Sequence, residues 1–327
     1  MSGVLFPLTA YGSPLTVNAY LCPMLSLTFL GTGAACPTVD RNVAGLALQR
    51  EGETILFDCG EGTQRQIMRY GVGFSFTEVF FSHFHADHML GITGLVRTMG
   101  LQDRSAPLTL YGPRGAQRVL GAALGLGIER NKFPVDIVEL RPGDRLGRTE
   151  YDIVVFATEH RADTVGYALA EHTRLGRFHP ERARELGIPE GPLWGRLHRG
   201  ETVTLEDGRT IGPADLVGAP RRGRKVVYSG DTRPTLTVLD ASRGADLLIH
   251  EATFGGDEAE RAVETGHSTA AEAARLALEA GVRRLILTHI SPRYTRDAPE
   301  LLAEARAVFP ETTVARDGVV VEVPFAE

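Results

Sequence analysis

The chain has 327 residues, 43% of them hydrophobic and 23% charged, with a formal net charge of −6. That length supports a sizeable core, in one large domain or two smaller ones, and the balance is that of a soluble globular protein. The negative sign argues against a protein that coats itself in nucleic acid but leaves room for a local basic patch. Arginine carries nearly all the positive charge, Lys132 and Lys225 being the only lysines. Cys22, Cys36 and Cys59 form no CxxC pair, so no disulfide framework is expected and a reducing cytoplasm fits. No apolar run is long enough to cross a bilayer, and no membrane role is expected.

Residues 1–23 are apolar and turn-rich, with no charge before Asp40 and therefore no basic n-region of a secretory signal. Met24 directly precedes the first strand-like run, so a disordered extension ahead of a native start at Met24 is expected. Leu25–Leu30 reads as a strand that ends in the tight turn Gly31-Thr32-Gly33-Ala34-Ala35. A dinucleotide GxGxxG would need a third glycine and an immediate helix, and Cys36-Pro37 breaks that pattern. Close backbone packing is the better reading. Gly45–Gln49 and Thr54–Asp58 form a hairpin around Glu51-Gly52, and Thr63–Tyr70 a helix. Glu78–Phe81 is a buried strand leading into Ser82-His83-Phe84-His85-Ala86-Asp87-His88. Helices are expected over Leu90–Met99 and Ala116–Leu126, and strands over Leu108–Tyr111, Val135–Leu140, Tyr151–Thr158 and Val165–Ala170.

From about Glu171 to Pro220 the periodicity stops. This stretch is rich in Arg, Gly and Pro and holds Trp194, the only tryptophan. Structureless segments of that length inside a domain are usually functional or disordered, which favours a protruding recognition arm. Regular structure resumes with strands at Lys225–Ser229, Ala245–His250, Arg284–Thr288 and Val319–Val323. Helices alternate with them at Leu236–Ala241, Ser268–Ala280 (capped by Ser268 or Thr269) and Pro299–Phe309. The best architecture for this order is α/β, a four-layer helix–sheet–sheet–helix sandwich over residues 24–327 with 171–220 as an inserted flexible arm.

The histidine run is the centre of the chemistry. In extended backbone His83 and His85 project to one side, while Asp87 and His88, past the bend, address a neighbouring position. Neutral imidazoles with a carboxylate suit zinc, and two ligand pairs point to two ions. His83, His160, Asp231, His250 and His289 each fall at the C-terminal end of an expected strand, where loops converge in α/β folds. His172, His179 and His198 lack that placement and read as ordinary surface or core histidines.

Ser82–His88 with His160, Ser229-Gly230-Asp231-Thr232 and Thr288-His289 resembles the ligand motifs of the metallo-β-lactamase fold. Four further groups make the chain similar to the ribonuclease Z family of tRNA 3′-processing endonucleases. They are Phe57-Asp58-Cys59-Gly60-Glu61-Gly62-Thr63-Gln64, His250-Glu251-Ala252-Thr253-Phe254, His267-Ser268-Thr269 and His289-Ile290-Ser291-Pro292-Arg293-Tyr294. The resemblance runs from about Leu25 to the C-terminus. It implies one Zn2+ held by His83, His85 and His160, a second held by Asp87, His88 and His289, and Asp231 bridging the two. Asp87, a ligand beside the attacking water, is the candidate to orient it and accept its proton, while the resemblance makes His267 the acid for the leaving 3′-oxygen, with Glu251 orienting it. Asp58 either orients a ligand histidine or caps a turn.

The resemblance also implies precursor tRNA as substrate, a homodimer, and an arm whose Gly-Pro motif is the Gly187–Pro192 segment, with Gly191 and Pro192 binding substrate. Arg174, Arg177, Arg182, Arg184, Arg196 and Arg199 would follow tRNA phosphates by shape. Near the N-terminus, Pro37-Thr38-Val39-Asp40-Arg41-Asn42 departs from the family's Pro-x-Lys/Arg-x-Arg-Asn by placing Val39 at the basic position. Arg41 and Asn42 remain for phosphate contact, and discrimination around the CCA end is what the departure affects. Two other readings remain open: a hydrolase of the same fold acting on small phosphodiesters, thioesters or lactones, and a tRNA-binding protein with structural metals.

Overall fold

The computed structural model describes residues 25–128, 130–294 and 296–326. The expected extension over residues 1–23, and the start at Met24, lie outside them. In chain order the strands are β1 (Leu25–Gly31), β2 (Gly45–Arg50), β3 (Glu53–Phe57), β4 (Glu78–Phe80), β5 (Leu108–Gly112), β6 (Val135–Glu139), β7 (Arg145–Gly147), β8 (Tyr151–Ala157), β9 (Val165–Glu171), β10 (Val203–Thr204), β11 (Thr210–Ile211), β12 (Lys225–Tyr228), β13 (Leu247–Glu251), β14 (Leu285–Thr288), β15 (Thr312–Val314) and β16 (Val320–Glu322). They build two seven-stranded sheets, ordered β16-β1-β2-β3-β4-β5-β6 and β15-β14-β13-β12-β9-β8-β7. Each sheet is mixed. Hairpins form one end (β1–β2–β3, β7–β8–β9) and parallel pairs the other (β3 to β6, β12 to β15).

The alternation of side chains along each strand sorts the core into layers. Leu27, Phe57, Phe80, Tyr167, Val226, Leu247 and Ile249 lie between the sheets. Leu30, Leu56, Val79, Phe81 and Leu110 face the other way and pack under the helices α1 (Thr63–Arg69), α2 (Ala86–Met89), α3 (Gly91–Leu101) and α4 (Ala116–Leu124). On the far side Val227, Leu248 and Leu287 meet helices that follow the arm. This is the four-layer sandwich expected from the order of elements. Gly31 shows why its turn is glycine: a Cβ there would sit 1.7 Å from the Val43 carbonyl oxygen. The tight turn therefore serves close backbone packing, as expected.

Residues 171–220 correct the expectation of a structureless stretch. They carry α5 (Pro180–Glu185), α6 (Pro192–His198) and the β10–β11 hairpin around an apolar cluster of their own, including Ala183, Ile188, Leu197, Val203, Ile211 and Leu216. Trp194 packs there and donates its indole N–H to the Ile188 carbonyl at 3.2 Å. Elements of two to seven residues leave too few turns for periodicity to register. Antiparallel bridges Arg174–Arg221 and Phe178–Val217 form the neck.

Beyond the arm come α7 (Leu236–Ser242), α8 (Ala259–Thr265), α9 (Ala270–Ala280) and α10 (Pro299–Arg306). Of the two candidates for the α9 cap, Thr269 fills the position and forms a reciprocal capping box with Glu272.

Candidate metal centre

The candidate ligands come from loops that leave the C-terminal ends of strands along one edge of the sandwich. His83, His85, Asp87 and His88 follow β4, His160 follows β8, Asp231 follows β12, and His289 directly follows β14. Parallel pairing of β12, β13 and β14 puts these ends side by side, so residues distant in sequence meet. Three non-glycine positions at the site carry backbone strain: Ala35 (φ 63°), Asp58 (φ 54°) and His289 (φ 55°) occupy the left-handed region, a cost of roughly 1–3 kcal/mol each that clusters at functional sites.

Seven of the residues singled out in the sequence converge. His83, His85, His160 and Asp231 form one group, and Asp87, His88 and His289 a second, with ligand atoms within 4.8 Å of one another in each. His85 Nδ1 lies 3.0 Å from His83 Nε2 and 3.2 Å from His160 Nε2, and His88 Nε2 lies 3.2 Å from His289 Nε2. Asp231 Oδ2 sits between the groups, 3.4 Å from His88 Nε2, 3.3 Å from His289 Nε2 and 3.7 Å from His83 Nε2. His250 is not among them. In β13 its neighbours Leu248 and Ala252 belong to the helix-side core, while Glu251 is on the site side. Strand-end position identifies a loop, and the period of two decides which residue enters the site.

Outer partners settle which nitrogen of each ring faces inward. Asp58 Oδ2 takes the Nδ1 proton of His88 at 2.8 Å, and the Gly266 carbonyl that of His160 at 2.8 Å. Ser82 Oγ donates to Asp58 Oδ2, so its lone pair accepts from His83 Nδ1 at 3.1 Å. Thr253 Oγ1 donates to Glu251 Oε2 and likewise accepts from His289 Nδ1 at 2.9 Å. With Nδ1 protonated, each Nε2 turns an unshared pair toward the centre. His85 differs and presents Nδ1. Asp58 thus orients rather than caps: it also accepts from the Ser82 amide at 2.7 Å and the Tyr228 hydroxyl at 2.7 Å. Tyr228 packs on Phe57, tying the site floor to the core between the sheets.

Metal binding passes a test made on the residues themselves. Imidazole lone pairs facing one another at 3.0–3.2 Å repel unless a cation lies between them, and such spans are close to the edge of a tetrahedron with bonds of about 2.0–2.1 Å. Asp231 Oδ1 is buried without a hydrogen-bond partner, an orphan that a cation would satisfy. Burial and neighbouring imidazoles hold His83 well below the usual histidine range, keeping it neutral as a ligand must be. Burial pushes the Asp231 carboxyl up, but His289 and His88 overcome it and the group is held well below the carboxylate range. Burial draws His88 down, and Asp231 with Asp58 more than reverse it, so the same carboxylates that attract a proton would attract a metal ion.

A cleft of about 600 Å³ opens over the cluster, lined by Ala35, His85, Asp87, Phe254, Arg261, His267, His289 and Arg293. His267 stands at its wall with Nδ1 2.8 Å from Glu251 Oε1. Burial lowers this imidazole, but the Glu251 carboxylate more than offsets it, and its pKa rises to about 9. Glu251 is fully buried and is held in turn by the amides of Thr232 (3.0 Å) and Thr253 (3.1 Å).

Arg41 corrects an expectation. It is 4% exposed and donates to Thr32 Oγ1 at 2.6 Å, the Ala315 carbonyl at 2.7 Å and the Arg296 carbonyl at 2.7 Å. Its guanidinium therefore braces the loop against the second half of the chain and is not presented to a phosphate. Asn42, by contrast, donates to the Glu61 carbonyl at 2.9 Å and still lines an open cleft. In the arm, Gly191 and Pro192 open α6, and Arg196 is exposed there with its guanidinium 2.7 Å from Glu201. Arg182 and Arg184 pair with Glu185 and Glu190. Sequence reasoning missed Ser82, Tyr228 and Thr253 as ligand supports and Arg261 and Arg293 as cleft walls. Ser82, Thr253 and Arg293 lie inside the family-like motifs, a signal that could have found them, whereas Tyr228 and Arg261 have no spacing that marks them.

Residues 25–174 match the family model described as "Anti-Pycsar protein Apyc1", and residues 205–290 match "Beta-lactamase superfamily domain". Among relatives, ribonuclease Z of Gemmatimonas aurantiaca is 58% identical over 305 residues, 93% of this chain and 97% of that one. Ribonuclease Z of Myxococcus xanthus is 55% identical, covering 93% of this chain and 99% of its own. The crystal structure of the short form of human tRNase Z superposes with a TM-score of 0.67 at 27% identity, over 92% of this chain and 100% of that one. The chain belongs to the ribonuclease Z family, the metal-dependent endoribonucleases of the metallo-β-lactamase superfamily.

Proposed function

We propose that the chain removes 3′ trailers from precursor tRNA, leaving a 3′-hydroxyl on the tRNA and a 5′-phosphate on the trailer. The observation that carries this reading is a convergent histidine–aspartate cluster with a carboxylate-held acid, His267, beside it in one open cleft. The cofactor would be zinc, two ions per subunit: His83, His85 and His160 would hold one and Asp87, His88 and His289 the other, with Asp231 serving both groups. When bound, the ions supply a nucleophilic water at neutral pH and neutralise charge growing on the phosphate. Asp87, whose Oδ2 lies 3.3 Å from His289 Nε2 beside the second group, would orient that water and accept its proton. His267 gives a proton to the departing 3′-oxygen, with Glu251 on Nδ1 steering the ring and stabilising its charged form. The Ala35 amide donates to Asp87 Oδ2 at 2.7 Å and keeps that carboxylate from swinging away.

The arm, with Gly191, Pro192 and Arg196 at and within α6, grips the folded tRNA by shape, reaching across a cytoplasmic homodimer. Asn42, at the rim of a cleft that Arg65 and Arg69 also line, remains available to the substrate's end. The test is to incubate a CCA-less precursor tRNA with and without chelator, map both product ends, and count metal per chain. Loss of cleavage on chelation, its return with zinc, and two ions per subunit are expected. A chelated protein that still cuts, or fewer than two ions per subunit, refutes the reading. Deleting the arm separates this reading from a small-phosphodiester hydrolase. Precursor tRNA cleavage should vanish while a chromogenic phosphodiester is still hydrolysed, and equal loss of both counts against the arm's role.

A further inference from the structure

We infer that Arg233 is a positioning residue for the acid His267, acting through the His267 backbone and Glu272. This rests on the assignment of His267 as the leaving-group acid. His267 lies in the short link between α8 and α9, where a ring held only by Glu251 could pivot. Arg233, two residues past the candidate ligand Asp231, closes that link from the other side. Its guanidinium donates to the His267 carbonyl at 2.5 Å and forks onto Glu272, at 2.9 Å to Oε2 and 2.5 Å to Oε1.

Glu272 is committed to the same task. Its Oε2 accepts from the Thr269 amide at 2.9 Å in the capping box, so one carboxylate ties the start of α9 to Arg233. Ser268 Oγ donates to the Thr232 carbonyl at 2.6 Å, and the Arg233 amide donates to the Glu159 carbonyl at 2.8 Å. The loops bearing Asp231, His160 and His267 are thereby joined at one point. The Arg233 and Glu272 side chains are 17% and 21% exposed, so the fork is sheltered from water and its geometry is specific. Arg233 reaches the His267 carbonyl and the Glu272 carboxylate; it sets where the acid stands.

The readout is the dependence on leaving group. A 3′-alkoxide needs a proton as it departs, whereas p-nitrophenolate leaves without one, so losing the acid's position penalises RNA selectively. The experiment measures kcat and KM of Arg233→Ala and Arg233→Lys on a precursor tRNA and on bis(p-nitrophenyl) phosphate, with metal content and thermal melting of each protein. His267→Ala is the reference. For Arg233→Ala the ratio of kcat on RNA to kcat on the aryl ester should drop about tenfold or more, with metal content equal to wild type and KM for RNA little changed. Arg233→Lys, which reaches the carbonyl but cannot fork onto Glu272, should fall between. Equal losses on both substrates with the ion count intact, or a ratio unchanged in both variants, would overturn the inference. If His267→Ala itself loses both activities alike, the acid assignment falls and the inference with it. Selective loss in His267→Ala but not in Arg233→Ala overturns the Arg233 role alone.

Discussion

At the scale of residues, the site depends on partners one bond removed from the cluster. Asp58 is not among the candidate ligands, yet four donors end on it: the Ser82 amide and hydroxyl, Tyr228 and His88. Asp58→Asn keeps the shape but supplies one amide donor where His88 needs an acceptor. Metal affinity should drop about 10–100-fold, read by competition with a chelator, and an unchanged affinity would refute the orienting role. His267→Ala removes the acid while leaving the paired clusters whole. Its kcat on precursor tRNA should fall by about 10²–10⁴ with the metal count retained, and a variant as fast as wild type would remove His267 from the mechanism. Neither residue announces itself by type. Asp58 reads equally well as a turn cap, and His267 as a polar residue ahead of a helix.

At the scale of elements, short turns do the work of holding long strands in register. The β1 end closes against the Asn42–Val43 segment so tightly that Gly31 admits no side chain. Gly31→Ala should cost about 3 kcal/mol or more, seen as a lower denaturation midpoint at constant slope; a loss under about 1 kcal/mol would show that the turn can yield. The α9 capping box makes a smaller contribution. Thr269→Ala should destabilise by about 1 kcal/mol, and if it also disturbs RNA cleavage more than aryl-ester hydrolysis, the disturbance travels through Glu272.

The whole molecule is stitched together where the arm joins the sandwich. Glu171, with its side chain 2% exposed, accepts from Arg224 at 2.6 Å and Arg50 at 2.9 Å. Phe325 lies 3.3 Å from the Arg174 guanidinium and 3.9 Å from that of Arg224, measured to the ring centre. Burial alone would raise the Glu171 carboxyl, but Arg224 and Arg50 hold it below its ordinary value. A carboxyl depressed in the folded state binds fewer protons there than in the unfolded chain. Its contribution is therefore present above the unfolded value of about 4.3 and fades as pH falls through the lower folded value. Glu171→Gln should cost about 3–5 kcal/mol at pH 7 because two guanidiniums lose their buried partner. Its melting temperature should also fall less steeply than that of wild type as pH drops below that value. Parallel curves for the two proteins would show that the pair carries no linkage.

Sequence alone determined the local terms of this protein. The spacing of His83, His85, Asp87 and His88 declared a metal site because ligand chemistry depends on residue type and backbone period, both of which can be read along a line. The alternation of strands and helices declared a layered α/β fold for the same reason. Tertiary structure decided what no line records. It turned His250 to the helix side and Glu251 to the cleft, since sheet register assigns faces. It buried Arg41 among carbonyls of Ala315 and Arg296, partners more than 250 positions away. It also closed the arm around an apolar cluster gathered from elements too short to show a period. Which proton each imidazole keeps depends on oxygens delivered by other strands, so the inward-facing nitrogens exist only once the two sheets have packed.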